Sequence, residues 1–329
     1  MILLHTMRRF TLVIAITTAA ATTPVLCFAQ KSQNFPNKPI RIVTASAASQ
    51  TDIVTRLIGD KMSAGFGQPV VIENRAGAGG AIGANVVAKA TADGYTLLLQ
   101  SSQFAIRAAI QPNLPYDSQR DFAGITQIGY STQVLIVSPS LTVKSAKEFI
   151  AWAQARPDQM LFSTSGAGTG THMDVERFRF AAGIKARHVA FKATSESMIE
   201  VVAGRTHFAA APLGPALPLI KDGKLMALAV FTPQRSPLLP DTPAMAEVLP
   251  GYQRDGSYGL MAPAKTPRPI LHQLAKEVAR IVELPDIKER MRNMGFVPAT
   301  STPEEYDKIR RAEIETFTRV ARLVGLRPQ

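Results

Sequence analysis

Short apolar runs alternate along the chain with segments in which apolar residues recur every three or four positions. In the first third, the runs 39–44, 70–73 and 95–99 predict strands, and the segments 51–65 and 81–90 predict helices with one apolar face. A strand-helix-strand-helix-strand succession is typical of a parallel sheet covered by helices. The pattern therefore predicts an α/β fold.

The same alternation continues to the C-terminus. The further predicted strands are 132–137, 160–163, 188–191, 207–210, 225–231 and 258–261. The further predicted helices are 145–155, 172–181, 196–202, 269–282 and 286–294. A last helix is signalled by Thr302 as N-cap, Pro303 at its first position and Glu305 closing a capping box. The chain is long enough for two α/β lobes.

Two apolar segments are candidate crossings between these lobes. If the chain enters a second lobe near residue 132 and returns near 257, the first lobe is made of two separate pieces. The predicted organisation is a signal peptide over 1–29, a first lobe over 30–131 and 257–329, and a second lobe over 132–256.

The N-terminus has the pattern of a secretory signal. Arg8 and Arg9 precede an apolar stretch over 10–26, and the segment 27–29 offers a small-residue cleavage site. Cleavage after Ala29 removes the only cysteine, Cys27, which excludes disulfide or thiol chemistry in the mature protein. The pattern predicts export from the cytoplasm.

Charge and motifs narrow the function classes. The formal charge is +12, but no block of five basic residues occurs and aromatic residues are not interleaved with basic ones, so nucleic-acid binding is not expected. A basic surface suits small anions. Ile82 and Thr171 stand where a dinucleotide fingerprint needs glycine, and histidines lack metal-site spacing. We expect no cofactor and no metal.

The candidate sites lie where strands pass into helices. The stretch STSGAGTGTH over 163–172, the stretch 44–52 and the glycine loop 77–80 each combine small or hydroxylated residues with a following helix. A helix N-terminus presents unpaired N–H groups and a positive dipole end, which together bind carboxylate or phosphate. For any single loop, the alternative interpretation is structural: the small residues serve only a tight turn and close packing of the helix. A loop in each lobe predicts an anion held from two sides.

Several long motifs carry a family resemblance over nearly all of the mature chain. They are FPNKPIRIV, GQPVVIENRAGAGGAIGANVVAKATADGYTLL, LPYDSQRDFAGIT, STSGAGTGTH, IKDGKLMALAV, RSPLLPDTPAMAE and GLMAPAKTPRPI. With these motifs the chain resembles the periplasmic solute-binding receptors of the tripartite tricarboxylate transporter family, also called Bug receptors. The resemblance implies a two-lobed periplasmic-binding-protein-like (type II) fold that closes on its ligand in a cleft. It also implies small carboxylate ligands, delivery to a membrane permease and no catalysis.

The resemblance further implies which residues contact the ligand, through backbone amides and hydroxyls. In the first lobe they are Ser46, Ala47, Ser49, Thr51, Asp52 and Ser101; in the second lobe they are Ser165, Gly166, Gly168, Thr169 and His172. A periplasmic location and partner permease subunits are implied as well. No feature suggests an obligate oligomer, so a monomer is expected.

Three departures from the family pattern bear on the ligand. The family usually has Pro-Gly-Gly where this chain has the segment 47–50, and an acidic residue with Asn where this chain has Ala211 and Pro212. Ala193 follows Lys192 where glycine is usual. These changes favour a carboxylate with an apolar remainder over an amino acid, whose ammonium group would want an acidic partner such as Asp52.

Two other functions remain open at the level of sequence. One is a secreted hydrolase that uses Ser165 with His172. The other is a receptor that reports to a signalling protein rather than to a permease. The sequence does not identify the ligand, its affinity or the partner.

Overall fold

The computed structural model describes residues 35–45, 49–252 and 257–326. The predicted signal peptide lies outside these residues. The chain divides into Met1–Phe35 and Pro36–Gln329, and the fold below is that of the second unit. In the part of the chain that the structure describes, no helix combines the length and apolarity needed to cross a membrane.

The described residues contain eleven strands and eleven α-helices, which alternate along most of the chain. The strands are β1 Ile40–Thr44, β2 Val70–Asn74, β3 Thr96–Ser101, β4 Phe122–Ser131, β5 Gln133–Val137, β6 Met160–Thr164, β7 Ala186–Ala190, β8 Phe208–Pro212, β9 Met226–Val230, β10 Tyr258–Pro263 and β11 Phe296–Pro298. The helices are α1 Gln50–Phe66, α2 Ala81–Ala88, α3 Gln103–Ile110, α4 Ala146–Gln154, α5 Gly170–Ala181, α6 Thr194–Val202, α7 Leu213–Lys221, α8 Met245–Val248, α9 Arg268–Val282, α10 Pro285–Asn293 and α11 Pro303–Leu323. The α/β prediction is confirmed.

The strands form two sheets. The first has the order β11-β4-β10-β3-β1-β2, and the second has the order β7-β6-β8-β5-β9. In the first sheet β1 runs parallel to β2 and β3, whereas β10 runs antiparallel to both β3 and β4. In the second sheet β6 runs parallel to β7 and β8, and β5 runs antiparallel to β8 and β9. Each sheet is therefore mixed.

Local signals explain where the helices next to the site begin and end. Ser49 caps α1 by accepting a hydrogen bond from the Asp52 N–H at 3.1 Å, and α1 ends at Gly67 in the left-handed conformation. The predicted start of the last helix is confirmed, because Thr302 and Glu305 form a capping box.

The sequence analysis assigned no element to five segments: α3, β4, α7, the four-residue α8 and β11. Helix α3 is apolar on most of its surface, with Phe104, Ala105, Ile106 and Ala109 buried, so it lacks the polar face that identifies a surface helix. Strand β4 is buried on both faces and contains two glycines. Helix α7 contains two prolines, and β11 has three residues. None of these segments shows a clear period in sequence.

The chain passes from the first sheet to the second at a single residue. Thr132 links β4 to β5; its N–H donates to the Gly295 carbonyl and its carbonyl accepts from the Leu213 N–H, each at 2.8 Å. Clusters of buried apolar residues pack on both faces of the second sheet. A separate cluster lies where α3, α5 and α11 meet.

Candidate functional site

The loop between β6 and α5 is shaped by its own hydroxyl groups. Thr169 is the N-cap of α5: its Oγ1 accepts from the His172 N–H at 3.4 Å and donates to the Gly166 carbonyl at 2.7 Å. The Ser165 N–H donates to Thr171 Oγ1 at 3.2 Å, and the two hydroxyls of these residues lie 3.0 Å apart. The loop therefore holds its shape through internal bonds.

Three N–H groups of this loop remain unused. Among the described residues, no hydrogen-bond partner faces the N–H groups of Ala167, Gly170 and Thr171. Gly170 and Thr171 are the first two positions of α5, where N–H groups have no intrahelical acceptor. These two N–H groups lie at the positive end of the helix dipole. The sequence analysis did not single out either residue as a donor, although the position of the N-cap would have identified them.

Two stacked imidazole rings pack against the loop and bond to it. Nδ1 of the buried His172 accepts from the Gly168 N–H at 3.1 Å, and its ring lies 4.0 Å from the ring of His188. His188 Nε2 is 2.6 Å from Thr164 Oγ1, which also accepts from the Gly166 N–H at 3.1 Å. Burial, together with the neighbouring His172, lowers the pKa of His188 to about 4. A neutral His188 thus holds the Thr164 hydroxyl at neutral pH.

The arrangement does not provide a nucleophile and its base. Ser165 Oγ contacts the hydroxyls of Thr169 and Thr171. His172 Nδ1 is taken by Gly168, and its Nε2 lies 3.6 Å from Glu176 Oε1, which also belongs to a carboxylate paired with Arg179. Neither ring nitrogen is directed at Ser165, so the geometry gives no support to the hydrolase alternative.

The first turn of α1 is held to β2 by charged and polar side chains. Ser46 and Ala47 lie outside the described residues. Asp52 is buried, and its carboxylate accepts from Asn74 Nδ2 at 2.8 Å and from Arg56 Nε at 3.2 Å. The Thr51 carbonyl accepts from the Thr55 hydroxyl within the helix. Because protein groups already satisfy both Asp52 oxygens, this residue is poorly placed to pair with a ligand ammonium group.

Gln50 fastens the start of α1 to distant parts of the first sheet. Its Oε1 accepts from the Tyr258 hydroxyl at 3.0 Å, and its Nε2 lies 3.5 Å from the Met294 carbonyl. Tyr258 is in β10, and Met294 directly precedes Gly295, which accepts the hydrogen bond of Thr132. Gln50 belongs to the segment 47–50 that departs from the family pattern, and its side chain links the start of α1 to β10 and to the turn whose Gly295 carbonyl accepts from Thr132.

The end of β3 supplies a third group of polar residues. Ser101 Oγ accepts from the Gln103 N–H at 3.4 Å. The buried Gln100 Nε2 has no hydrogen-bond partner in the described residues and lies close to Gly80. The guanidinium of Arg107, in α3, donates to the carbonyls of Ala78 and Gly79. This Arg107 contact holds the glycine loop 77–80 against α3.

The loop between β6 and α5 (residues 165–169, the second loop) lies against the start of α3, which follows the C-terminal end of β3. Gln103 Nε2 donates to the Gly168 carbonyl at 3.3 Å. Ser101, which directly precedes α3 in the chain, is therefore near the second loop. Ala211 is fully buried in β8 opposite Val134, whereas Pro212 is half-buried at the start of α7. In the described ranges, no group of three or more metal-ligating side chains occurs.

Comparison with known proteins identifies the family. A model described as the tripartite tricarboxylate transporter family receptor matches residues 54–326. The chain belongs to this receptor family. It is 30% identical over 316 residues to BugT of Bordetella pertussis, covering 95% of each chain. It is also 30% identical over 295 residues to a UPF0065 protein from the tcbD-tcbE intergenic region of Pseudomonas sp. strain P51, covering 89% of this chain and 88% of the relative.

Solved structures of this receptor family have the same fold. Rpa4515 of R. palustris, solved with adipate, is 30% identical, with a TM-score of 0.75 over 90% of this chain and 100% of that one. MatC of Rhodopseudomonas palustris, with bound malate, is 27% identical, with a TM-score of 0.69 over 87% and 99%. The periplasmic binding protein BugD is 26% identical, with a TM-score of 0.71 over 90% and 100%. The predictions of the family and of a periplasmic-binding-protein-like fold are confirmed.

Proposed function

We propose that this receptor captures a small carboxylate outside the cytoplasm and delivers it to a permease of the tripartite tricarboxylate type. The observation that carries the proposal is the second loop, which is rigidly shaped and presents the unused N–H groups of Gly170 and Thr171. Donors at a helix N-terminus stabilise an anion without a cationic side chain. Adipate and malate in the related structures are carboxylates, which agrees with this chemistry.

The two sheets are the proposed cores of the two lobes. The strand assignments support a first lobe over residues 30–131 and 257–329 and a second lobe over 132–256, with the ligand cleft between them. A signal peptide over 1–29 would direct the mature protein to the periplasm. We further propose that the mature protein is a monomer and has no enzymatic activity. The partners are the ligand and the permease subunits.

The proposed ligand residues divide by role. Ser165 and Thr169 are proposed to line the cleft from the second lobe, and Ser49, Thr51 and Ser101 from the first; the family resemblance adds Ser46 and Ala47, which lie outside the described residues. Gly166, Gly168 and His172 shape the second loop, because their backbone or ring groups are engaged within the protein. Asp52 orders the first helix through Asn74 and Arg56.

The ligand remainder is proposed to be apolar. An amino acid would bring an ammonium group that needs a carboxylate or several carbonyls in place of water. Asp52 is already paired, and the position of Ala211 in this chain supplies no polar side chain. A simple aliphatic or aromatic carboxylate therefore fits better than aspartate or glutamate.

A pair of substitutions at Gly170 tests the anion site. Proline at the first helical position removes one N–H and keeps the helix, and the extended backbone of Thr169 (ψ 167°) suits a following proline. Alanine at the same position keeps the N–H and has open space for its Cβ. We expect Gly170→Pro to weaken carboxylate binding by about 10-fold or more, and Gly170→Ala to leave it nearly unchanged.

Isothermal titration with adipate, malate, benzoate, aspartate and glutamate measures both effects, after native mass spectrometry has identified any ligand bound during purification. Equal affinity of the two variants would contradict the backbone anion site. A panel in which aspartate or glutamate binds best would contradict the apolar remainder.

A further inference from the structure

Helix α3 reaches from the first sheet to the second loop through its first and last residues. We propose that Gln103 and Ile110 form a seat on which the loop 165–169 docks when the lobes close, with Gln103 acting as a positioning residue for the ligand loop. The lobes and the ligand site are those of the proposed function, and the seat is an additional contact between protein groups. Closure is then stabilised by protein contacts as well as by the ligand.

Gly168 is the residue of the loop that meets the seat. Its N–H donates to His172 Nδ1 at 3.1 Å, and its carbonyl accepts from Gln103 Nε2 at 3.3 Å. Both backbone groups of this residue are therefore satisfied, one from its own lobe and one from the opposite lobe. A hydrogen bond at this point fixes the orientation of the peptide that leads into Gly170 and Thr171.

The backbone conformation of Gly168 and its contact with the last residue of α3 both favour glycine at this position. A Cβ on Gly168 would lie 2.6 Å from Ile110 Cδ1, which is closer than two carbon atoms can approach. The φ of Gly168 is +70°, in the left-handed region that glycine adopts without strain. The glycine therefore lets the loop backbone lie flat against the Ile110 side chain.

An apolar contact extends the seat beyond the loop. Met173, in the first turns of α5, is fully buried in a cluster with residues of α3 and α11. This cluster contains Ala105, Ile106, Ala109, Met173, Ile314, Phe317, Val320 and Ala321. Since α5 belongs to the second lobe and α3 and α11 to the first, the seat joins polar and apolar contacts across the cleft.

The seat has a direct consequence for ligand binding. Population of the closed form depends on the free-energy difference between open and closed states, to which any protein contact made only on closure contributes. Loss of the Gln103 or Ile110 contact should shift the population toward the open form before any ligand is added. The apparent affinity for ligand then falls because a smaller fraction of the protein is competent to hold it.

Distance measurements between spin labels test the seat without a ligand. Labels at Asp60→Cys in α1 and Lys147→Cys in α4, both exposed, report the separation of the lobes in the mature chain, which begins after Ala29 and lacks Cys27. Gln103→Ala removes the donor, Gln103→Glu directs a carboxylate at the Gly168 carbonyl, and Ile110→Ala removes the apolar contact. Matched controls are Gln159→Glu and Ile199→Ala, at exposed positions away from the cleft.

We expect the short-distance fraction to fall in all three test variants, most in Gln103→Glu, while the controls match the wild type and thermal midpoints stay equal. The ratio of closed to open protein should change by about 3- to 10-fold for Gln103→Ala, and the Kd for adipate should rise by a similar factor. Distance distributions that superimpose for wild type and all three variants would overturn the seat. A wild-type protein without a short-distance component would overturn it as well. If no carboxylate binds, the ligand proposal fails while the distance result still decides the seat.

Discussion

The loops before α1 and α5 have the same layout and different means of support. Both follow a buried strand, contain small residues and end in a hydroxyl N-cap, Ser49 or Thr169, that accepts from the N–H three residues later. The first loop depends on the carboxylate of Asp52 and its bonds to Asn74 and Arg56. The second depends on neutral hydroxyls and the imidazoles of His172 and His188.

This difference separates anchoring from ligand contact. Charged partners fix the first loop to its own sheet, with Gln50 extending the connection to Tyr258. The second loop is shaped by hydroxyls and imidazoles, and it leaves the N–H groups of Gly170 and Thr171 without a hydrogen-bond partner among the described residues. It also leaves Gly168 able to meet the opposite lobe. Similar sequence patterns therefore precede two helix starts that are supported in different ways, and only the second is the anion site that we propose.

Loss of the Asp52 carboxylate is expected to have the largest effect on stability. Asp52→Ala removes the acceptor of Asn74 and Arg56 in a buried setting, so we expect the free energy of unfolding to fall by about 2–4 kcal/mol. Chemical denaturation measures the loss, and Asp60→Ala, at an exposed position of the same helix, is the control. A loss as small as that of the control would show that the first loop does not depend on this charge.

Acid is expected to weaken the second loop. Because the pKa of His188 is lowered to about 4 and the unfolded imidazole titrates near 6.5, the unfolded state binds more protons between these values. Stability should therefore fall as the pH drops from 6.5 to 4, by about 2 kcal/mol from this group. Burial also lowers the pKa of His207, which adds a contribution of the same sign.

Denaturation of wild type and His188→Gln at pH 7, 5.5 and 4.5 separates these contributions. Glutamine can still bond to the Thr164 hydroxyl but does not titrate, so part of the pH slope should disappear. An identical slope in the variant would assign the acid sensitivity to other groups, including His172 and Glu176, which face His188.

The two N-caps should give the smallest effects on stability. Ser49→Ala and Thr169→Ala each remove one cap, so each is expected to lower the free energy of unfolding by about 1 kcal/mol. Thr169→Ala should in addition weaken carboxylate binding and reduce the closed fraction, because the Thr169 hydroxyl also holds the Gly166 carbonyl. Calorimetry and label distances compare the pair. Equal effects on binding would contradict the difference between the loops.

The sequence predicted the elements whose signals are local. Ser49, Thr302 and Glu305 mark helix starts by their own hydrogen bonds, and the periodic segments before and after them became strands and helices. Helix α3 was missed because the environment of residues 103–110 is apolar on most sides, which only the packed structure supplies. The same helix carries the contacts to Gly168.

For the candidate site as well, the sequence predicted the features with local signals and not the contacts between distant residues. The stretch 163–172 was recognisable as a strand-loop-helix junction, but the helix was predicted from residue 172, whereas α5 begins at Gly170 with Thr169 as its N-cap. The bond between Asp52 and Asn74 spans 22 positions of the chain, and the stacking of His172 on His188 spans 16. Such contacts arise from the parallel pairing of β1 with β2 and of β6 with β7, so no local pattern encodes them.

The position of β10 has a consequence for how the chain folds. This strand lies between β3 and β4 in the first sheet, yet it follows the whole second sheet along the chain. Its pairing of Tyr258 with Ser101 closes a very long loop, and contacts of such sequence separation slow folding. The first sheet is completed by one of the last strands to emerge during synthesis, so the core of this sheet is sealed only after nearly the whole chain has been made.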